Sequence, residues 1–113
     1  MAVAVLLLVA AFYFNTSAVA NTAATIKSPV DNATNVAHPT DFKWDAVVGS
    51  TSYELQVNTS SSFPSGSMLI DQSGILGTQL NGVSTAPSTV YYARVKGNNE
   101  VGFGQIISFT TAQ

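Results

Sequence analysis

Seven side chains in this sequence belong to the types that do acid–base or metal chemistry: Asp31, Asp41, Asp45, Glu54, Asp71, Glu100 and His38. Two carboxylates facing each other across a cleft can cleave a glycosidic bond. Carboxylates at alternate positions, followed by glycine, make a calcium loop. A histidine beside a hydroxyl or thiol activates a nucleophile. The spacing here supports none of these. The carboxylates are scattered, no D-x-D-x-D-G run occurs, and His38 stands beside Pro39 in an expected loop, away from any nucleophile arrangement. Cysteine is absent, which removes thiolate catalysis, disulfides and Cys-based metal sites. The expectation is no enzyme, no cofactor and no metal, with the carboxylates keeping the chain soluble.

Three Asn-x-Ser/Thr sequons are present, at Asn15, Asn32 and Asn58. A chain this rich in Asn, Ser and Thr produces several by chance. Asn32 and Asn58 are the candidate N-glycosylation sites, Asn58 being expected at an accessible strand–loop border. Asn15 falls in an apolar stretch where a glycan would obstruct packing. Among the aromatics, Phe63 and Phe103 fall in expected loops. There they serve either as exposed binding anchors or as caps folded back on the core. Tyr92 is open in the same way.

At 113 residues the chain holds one small domain and an appendage. Charged residues make up 9%, against about 25% in an ordinary soluble domain. Net charge is −2 and basic residues do not cluster, so a nucleic-acid partner is not expected. Two regions separate near Thr25. Residues 1–24 are rich in Ala, Val, Leu and Phe and carry no charge, Gly or Pro; residues 25–113 carry every charge, all four Pro and all eight Gly.

The second region reads as short strands between turns. Phe42, Trp44 and Ala46 alternate with Lys43 and Asp45, and Tyr53, Leu55 and Val57 alternate with Glu54, Gln56 and Asn58. Val47–Ser50 is the turn between them. Met68–Asp71 and Thr78–Leu80 are short strand candidates. Tyr91, Ala93 and Val95 form one face of a strong strand over Val90–Lys96, and Ile106–Thr111 closes the chain. Asn58–Gly66 and Asn98–Gly104 are loops. About seven such strands favour an antiparallel sandwich.

Three stretches, FKWDAVVGSTSYELQVNTSSSF, LNGVSTAPSTVYYARVKGNNEVGFG and ISFTTA, resemble a fibronectin type III domain over residues 27–112. Trp44 matches the core tryptophan of that family's second strand, and Tyr53 and Leu55 match its third. Leu80, Val83, Pro87, Thr89 and Tyr91 match the approach to its sixth strand, and Asn98 and Gly102 the loop before the last. The resemblance implies a mainly β, fibronectin type III/immunoglobulin-like antiparallel β-sandwich. Its core would be Trp44, Tyr53, Leu55, Leu80, Tyr91, Val95 and Phe109. Tyr91 would be a corner tyrosine bonded to upstream backbone. The Arg-Gly-Asp tripeptide of some members is absent. Such a fold hosts many roles and names none.

Residues 1–14 are uninterruptedly apolar. A helix over residues 1–24 would span about 36 Å and, apolar all round, would need burial in lipid or protein. One reading is a secretory signal peptide cut after Ala20 at Ala18-Val19-Ala20, which lacks the usual basic start. A second is a retained assembly helix of Val3, Val5, Leu6, Leu7, Leu8, Val9, Phe12 and Phe14, with Ala2, Ala4, Ala10 and Ala11 allowing close approach. A third, a single-span anchor, is short of the ~20 apolar residues required. The second reading resembles type IV pilins, archaeal ones included. In that family a short charged leader is removed, a hydrophobic helix forms the filament core and a β-rich domain faces outward. Met1 would then be the mature start. Val5 stands where most bacterial pilins have glutamate, and the amphipathic second half of their helix is lacking. The leading expectation is an extracellular, cell-surface filament subunit, homo-polymerised through residues 1–24 and meeting the membrane only before assembly. Its sandwich would serve adhesion to host cells or surfaces. The alternative is a secreted, soluble fibronectin-like binding module.

Overall fold

The structure, a computed structural model, describes residues 23–113. The segment expected to be helical, with Val3, Val5, Leu6, Leu7, Leu8, Val9, Phe12, Phe14 and the sequon at Asn15, lies outside the described residues.

Eight strands follow in order: β1 Ile26–Ser28, β2 Ala33–Val36, β3 Thr40–Trp44, β4 Tyr53–Asn58, β5 Met68–Ile75, β6 Gln79–Val83, β7 Val90–Gly97 and β8 Ile107–Thr111. They form two sheets, β1-β3-β6 and β2-β8-β7-β4-β5. The alternation in the sequence sets which residues face inward. Thr40, Phe42 and Trp44 of β3, Tyr91, Ala93 and Val95 of β7, and Ile107, Phe109 and Thr111 of β8 are all buried. Phe42 from one sheet meets Phe109 from the other edge-on at 5.6 Å, and Trp44 meets Tyr53 at 5.8 Å. These pairs join the sheets into one core of a small, mainly β sandwich compatible with a fibronectin/immunoglobulin-like fold. Leu80 packs against that core while remaining partly exposed.

Two buried tyrosines find partners for their hydroxyls, as most buried polar groups do, whereas the buried Trp44 Nε1–H has none among the described residues. The Tyr91 hydroxyl accepts from the Ala86 N–H at 2.8 Å, the upstream bond that the resemblance implies. The Tyr53 hydroxyl accepts from the Val47 N–H at 2.8 Å and so fixes the β3–β4 loop.

The structure departs from the sequence-based expectation in three places. The sandwich is not wholly antiparallel: β2 runs parallel to β8. The first strand is in effect split, β1 pairing with β3 in one sheet and β2 crossing to the edge of the other. Asn32, at φ 68°, turns the crossing, and its N–H donates to the Ser108 carbonyl at 2.7 Å. Asn tolerates that left-handed conformation better than most residues. Second, β3 ends at Trp44, and Ala46 is exposed rather than continuing the inward face. Third, β4 is buried on both sides. Gln56 is 8% exposed and Asn58 fully buried, where alternation alone predicts solvent.

Candidate functional site

Two of the seven candidate residues, Glu54 and Asp71, come together with Gln56, Arg94 and Lys96 on the outer face of the five-stranded sheet; the other five lie elsewhere. Register sets Gln56 opposite both Arg94 and Asp71, and Glu54 opposite Lys96. The Arg94 Nε–H donates to Gln56 Oε1 at 2.8 Å, and Gln56 Nε2–H donates to Asp71 Oδ2 at 3.1 Å. One hydrogen-bonded row thus crosses three strands. The neighbouring row carries the Lys96–Glu54 ion pair at 4.0 Å. A side-chain hydrogen bond with Asp71 is the main influence holding the Glu54 carboxyl above its ordinary value of 4.5. Burial and the Asp71 charge add to it, while Lys96 and Arg94 pull the other way.

Phe63 and Phe103 close this face. The Arg94 guanidinium lies 4.1 Å from the Phe63 ring centre and 4.3 Å from that of Phe103. Lys96 Nζ sits 5.1 Å from Phe103. A guanidinium between two rings is a strong cation–π arrangement, since its weak hydration costs little to remove. Phe63 is buried at 6% exposure, so of the two readings open in the sequence the structure places it as a cap. Phe103 is half-buried, as is Tyr92.

Asn58 anchors the loop that delivers Phe63. Its Nδ2 donates to the Pro64 carbonyl at 2.9 Å and to Met68 Sδ at 3.5 Å. Its Oδ1 accepts from the Ser60 N–H and the Ser67 hydroxyl. The expectation of an accessible Asn58 is therefore overturned. The nitrogen a glycan would occupy points into the fold and is engaged there. Asn32, by contrast, is exposed, and its Oδ1 accepts from the Ser108 hydroxyl at 3.1 Å.

Every carboxylate side chain of the described residues holds a structural partner. Asp31 accepts from the Ser108 N–H, Asp41 from Gly82 and Glu100 from Gly97, while Asp45 pairs with Lys27. His38 Nε2 lies 3.4 Å from the Gln113 carbonyl. Among the described residues no group of three or more His, Asp or Glu converges on a metal position. No helix among the described residues is long and apolar enough to cross a membrane.

A different surface lies at the end of the sandwich where the chain enters from residues 1–22. Ala24 is buried, and the Thr25 carbonyl accepts from Asp45 N–H. Gly104 passes so close to the Ala24 carbonyl that any side-chain carbon there would overlap it. Beside this entry, Ala23, Val47, Val48, Val101 and Phe103 line an open cleft of about 350 Å³. The β3–β4 and β7–β8 loops around it are laced together. Asn98 Oδ1 accepts from Thr51 N–H at 2.9 Å, Asn99 Nδ2 donates to the Val48 carbonyl at 3.1 Å, and the Ser50 hydroxyl donates to Asn99 Oδ1. On these braced loops Val48 and Val101 stand 95% and 98% exposed. Leu76, in the β5–β6 turn at the same end, is 83% exposed. In the sequence Val48 and Val101 fall in expected turns with no role attached, because single valines in loops carry no pattern.

No protein-family model, curated protein or solved structure matches this chain.

Proposed function

We propose that this chain is a structural subunit of an extracellular, type IV pilus-like filament with a fibronectin type III-like outer domain. Ala24 belongs to the sandwich core, so the boundary expected at residues 24/25 moves upstream. The segment ahead of it associates with those of other copies into an apolar core, and the sandwich faces outward and serves adhesion. The fibronectin-like assignment is supported by the two-sheet strand order, the buried Trp44 and the Tyr91–Ala86 corner bond. The observation that carries the functional reading is the discontinuity at the point of entry. Downstream of it lies a sandwich with a complete core of its own. Upstream lie 22 residues without a single charge. Their large side chains, at roughly 1.5–3 kcal/mol each on burial, are ample to hold a subunit in a polymer.

Leu7→Asp tests this in the full chain. A buried, unpaired carboxylate is too costly for the core to absorb. The variant stays in the supernatant under conditions where the wild type sediments as polymer; polymerisation at wild-type yield rejects the helical-core assembly.

A second reading has one observation in its favour. Among the described residues, the first side chain with a place in the core is Ala24. Cleavage after Ala20 would therefore leave the sandwich whole, as a soluble secreted binding module.

A further inference from the structure

The apolar end of the sandwich has a chemistry that the filament reading leaves unassigned. The β3–β4 loop, the β5–β6 turn and the β7–β8 loop carry two charged side chains, and both are occupied. Asp45 pairs with Lys27, and the Glu100 carboxylate accepts from the Gly97 N–H within its own loop. The most exposed large apolar side chains there are Val48, Val101 and Leu76. The backbone around them holds them there. Gly49 has φ +88°, and a side-chain carbon on it would come within 2.6 Å of Asn99 Nδ2. A side chain at Gly97 would overlap Ser50. Such bracing lowers the ordering cost of docking.

We propose that this end of the sandwich seats on the apolar N-terminal segments of neighbouring copies, with Val48 and Val101 as the principal contacts and Leu76 beside them. The inference rests on the filament reading. Two observations choose this occupant. The first is the point of entry: Ala23 itself lines the cleft, so the 22 upstream residues join the domain at this surface. When those segments pack side by side, the end carrying Val48 and Val101 is brought against the layer they form. The second is charge. A surface built to sit on anionic lipid carries Lys or Arg at its rim. None of Lys27, Lys43, Arg94 and Lys96 lies in these three connections. Lys27 and Lys96, which border this end, are ion-paired with Asp45 and Glu54. Exposed valines whose flanking lysines are already paired match an apolar protein layer better than an anionic one.

The absence of cysteine makes a direct test clean. Full-length chains bearing only Val101→Cys are mixed with chains bearing only Ala11→Cys or only Ala18→Cys, polymerised and oxidised. A disulfide between the two populations joins different copies. The expected result is a cross-linked heterodimer in the sedimented fraction, several-fold above a control with Ser84→Cys, which lies in the β6–β7 connection at the opposite end. In parallel, the doubly substituted Val48→Ser/Val101→Ser chain shows a critical concentration for polymer raised about tenfold or more. Polymer with cross-linking at the control level and an unchanged critical concentration overturns the docking inference and leaves the filament reading standing. Chains that never sediment overturn the filament reading and this inference with it. Binding to neutral phospholipid vesicles that requires Val48 and Val101, with cross-linking at the control level, assigns the surface to lipid and overturns it as well.

Discussion

The outer sheet face and the N-terminal end of the sandwich use opposite means to finish a surface. On the sheet face the charged groups have found partners within the domain. Arg94 is held by Gln56, Phe63 and Phe103, Glu54 by Lys96, and Asp71 by Gln56. None of these is left reaching outward. At the N-terminal end the polar groups are equally occupied, by the Asn98 and Asn99 clasps, yet the effect is to push valines into solvent. Exposed single hydrophobics are ordinary. Several on braced loops around the attachment of an apolar segment mark a surface made to be covered. Phe103 belongs to both regions: it stacks on Arg94 and lines the cleft.

The contrast can be broken from the sheet side first. Asn58→Ala removes four hydrogen bonds from a fully buried site and leaves the Ser60 N–H and the Ser67 hydroxyl without their partner, while the Pro64 carbonyl keeps only the Ser67 N–H. The expected loss is about 2–4 kcal/mol in chemical denaturation. A loss below about 0.5 kcal/mol would mean that the Phe63 loop does not depend on Asn58. Next in size, Arg94→Ala removes the cation from the two rings and leaves Gln56 Oε1 without its donor, while Gln56 Nε2 keeps Asp71. It should cost about 2 kcal/mol, and Arg94→Lys should recover only part of it, because an ammonium cannot stack as a planar guanidinium does.

Glu54 gives a smaller, pH-dependent effect. Its carboxyl is held above its ordinary value, so folding favours the protonated form. That contribution is complete below the ordinary value of 4.5 and is lost as pH rises through the raised one. Glu54→Gln removes the dependence. The wild type should therefore fall below the Gln variant in Tm by roughly 1–3 °C between about pH 4 and pH 7, with the curves meeting at the acid end. A gap that widens toward acid contradicts the assignment. The smallest effect is expected at the other region. Val48→Ser/Val101→Ser should leave folding stability within about 0.5 kcal/mol of wild type, since both side chains stand in solvent. A larger loss would make the valines part of the fold rather than of an interface.

Strands with strong alternation are legible in the amino-acid sequence. Val90–Lys96 and the run around Phe42 and Trp44 carry a period of two in large side chains, and both are strands with the expected inner faces. β1 and β2 are not legible. They are three and four residues long, with the compositions IKS and ATNV, and tertiary pairing rather than local preference makes them strands. Asn58 misleads for a related reason. The Ser-rich stretch after it reads as solvent-exposed loop, but it folds back over β4 and buries the side chain. The Phe63–Arg94–Phe103 stack joins residues from two loops and a strand, so only the three-dimensional register brings them together. The turn at Val47–Ser50 is visible from its Gly-Ser pair, and its Ser50 N–H to Val47 carbonyl bond is present. What no local pattern can show is that Asn98 and Asn99, some 50 residues on, hold that turn in place.

A filament subunit of this kind must keep its apolar segment attached to the sandwich. Intact mass and N-terminal sequencing of the protein taken from its native cell surface address that directly. The predicted result is a chain that retains MAVAVLLLVAAFYFNTSAVA ahead of Asn21 and sediments as polymer. A surface or secreted protein that begins at Asn21 contradicts filament assembly through this segment and makes the soluble binding module the working form.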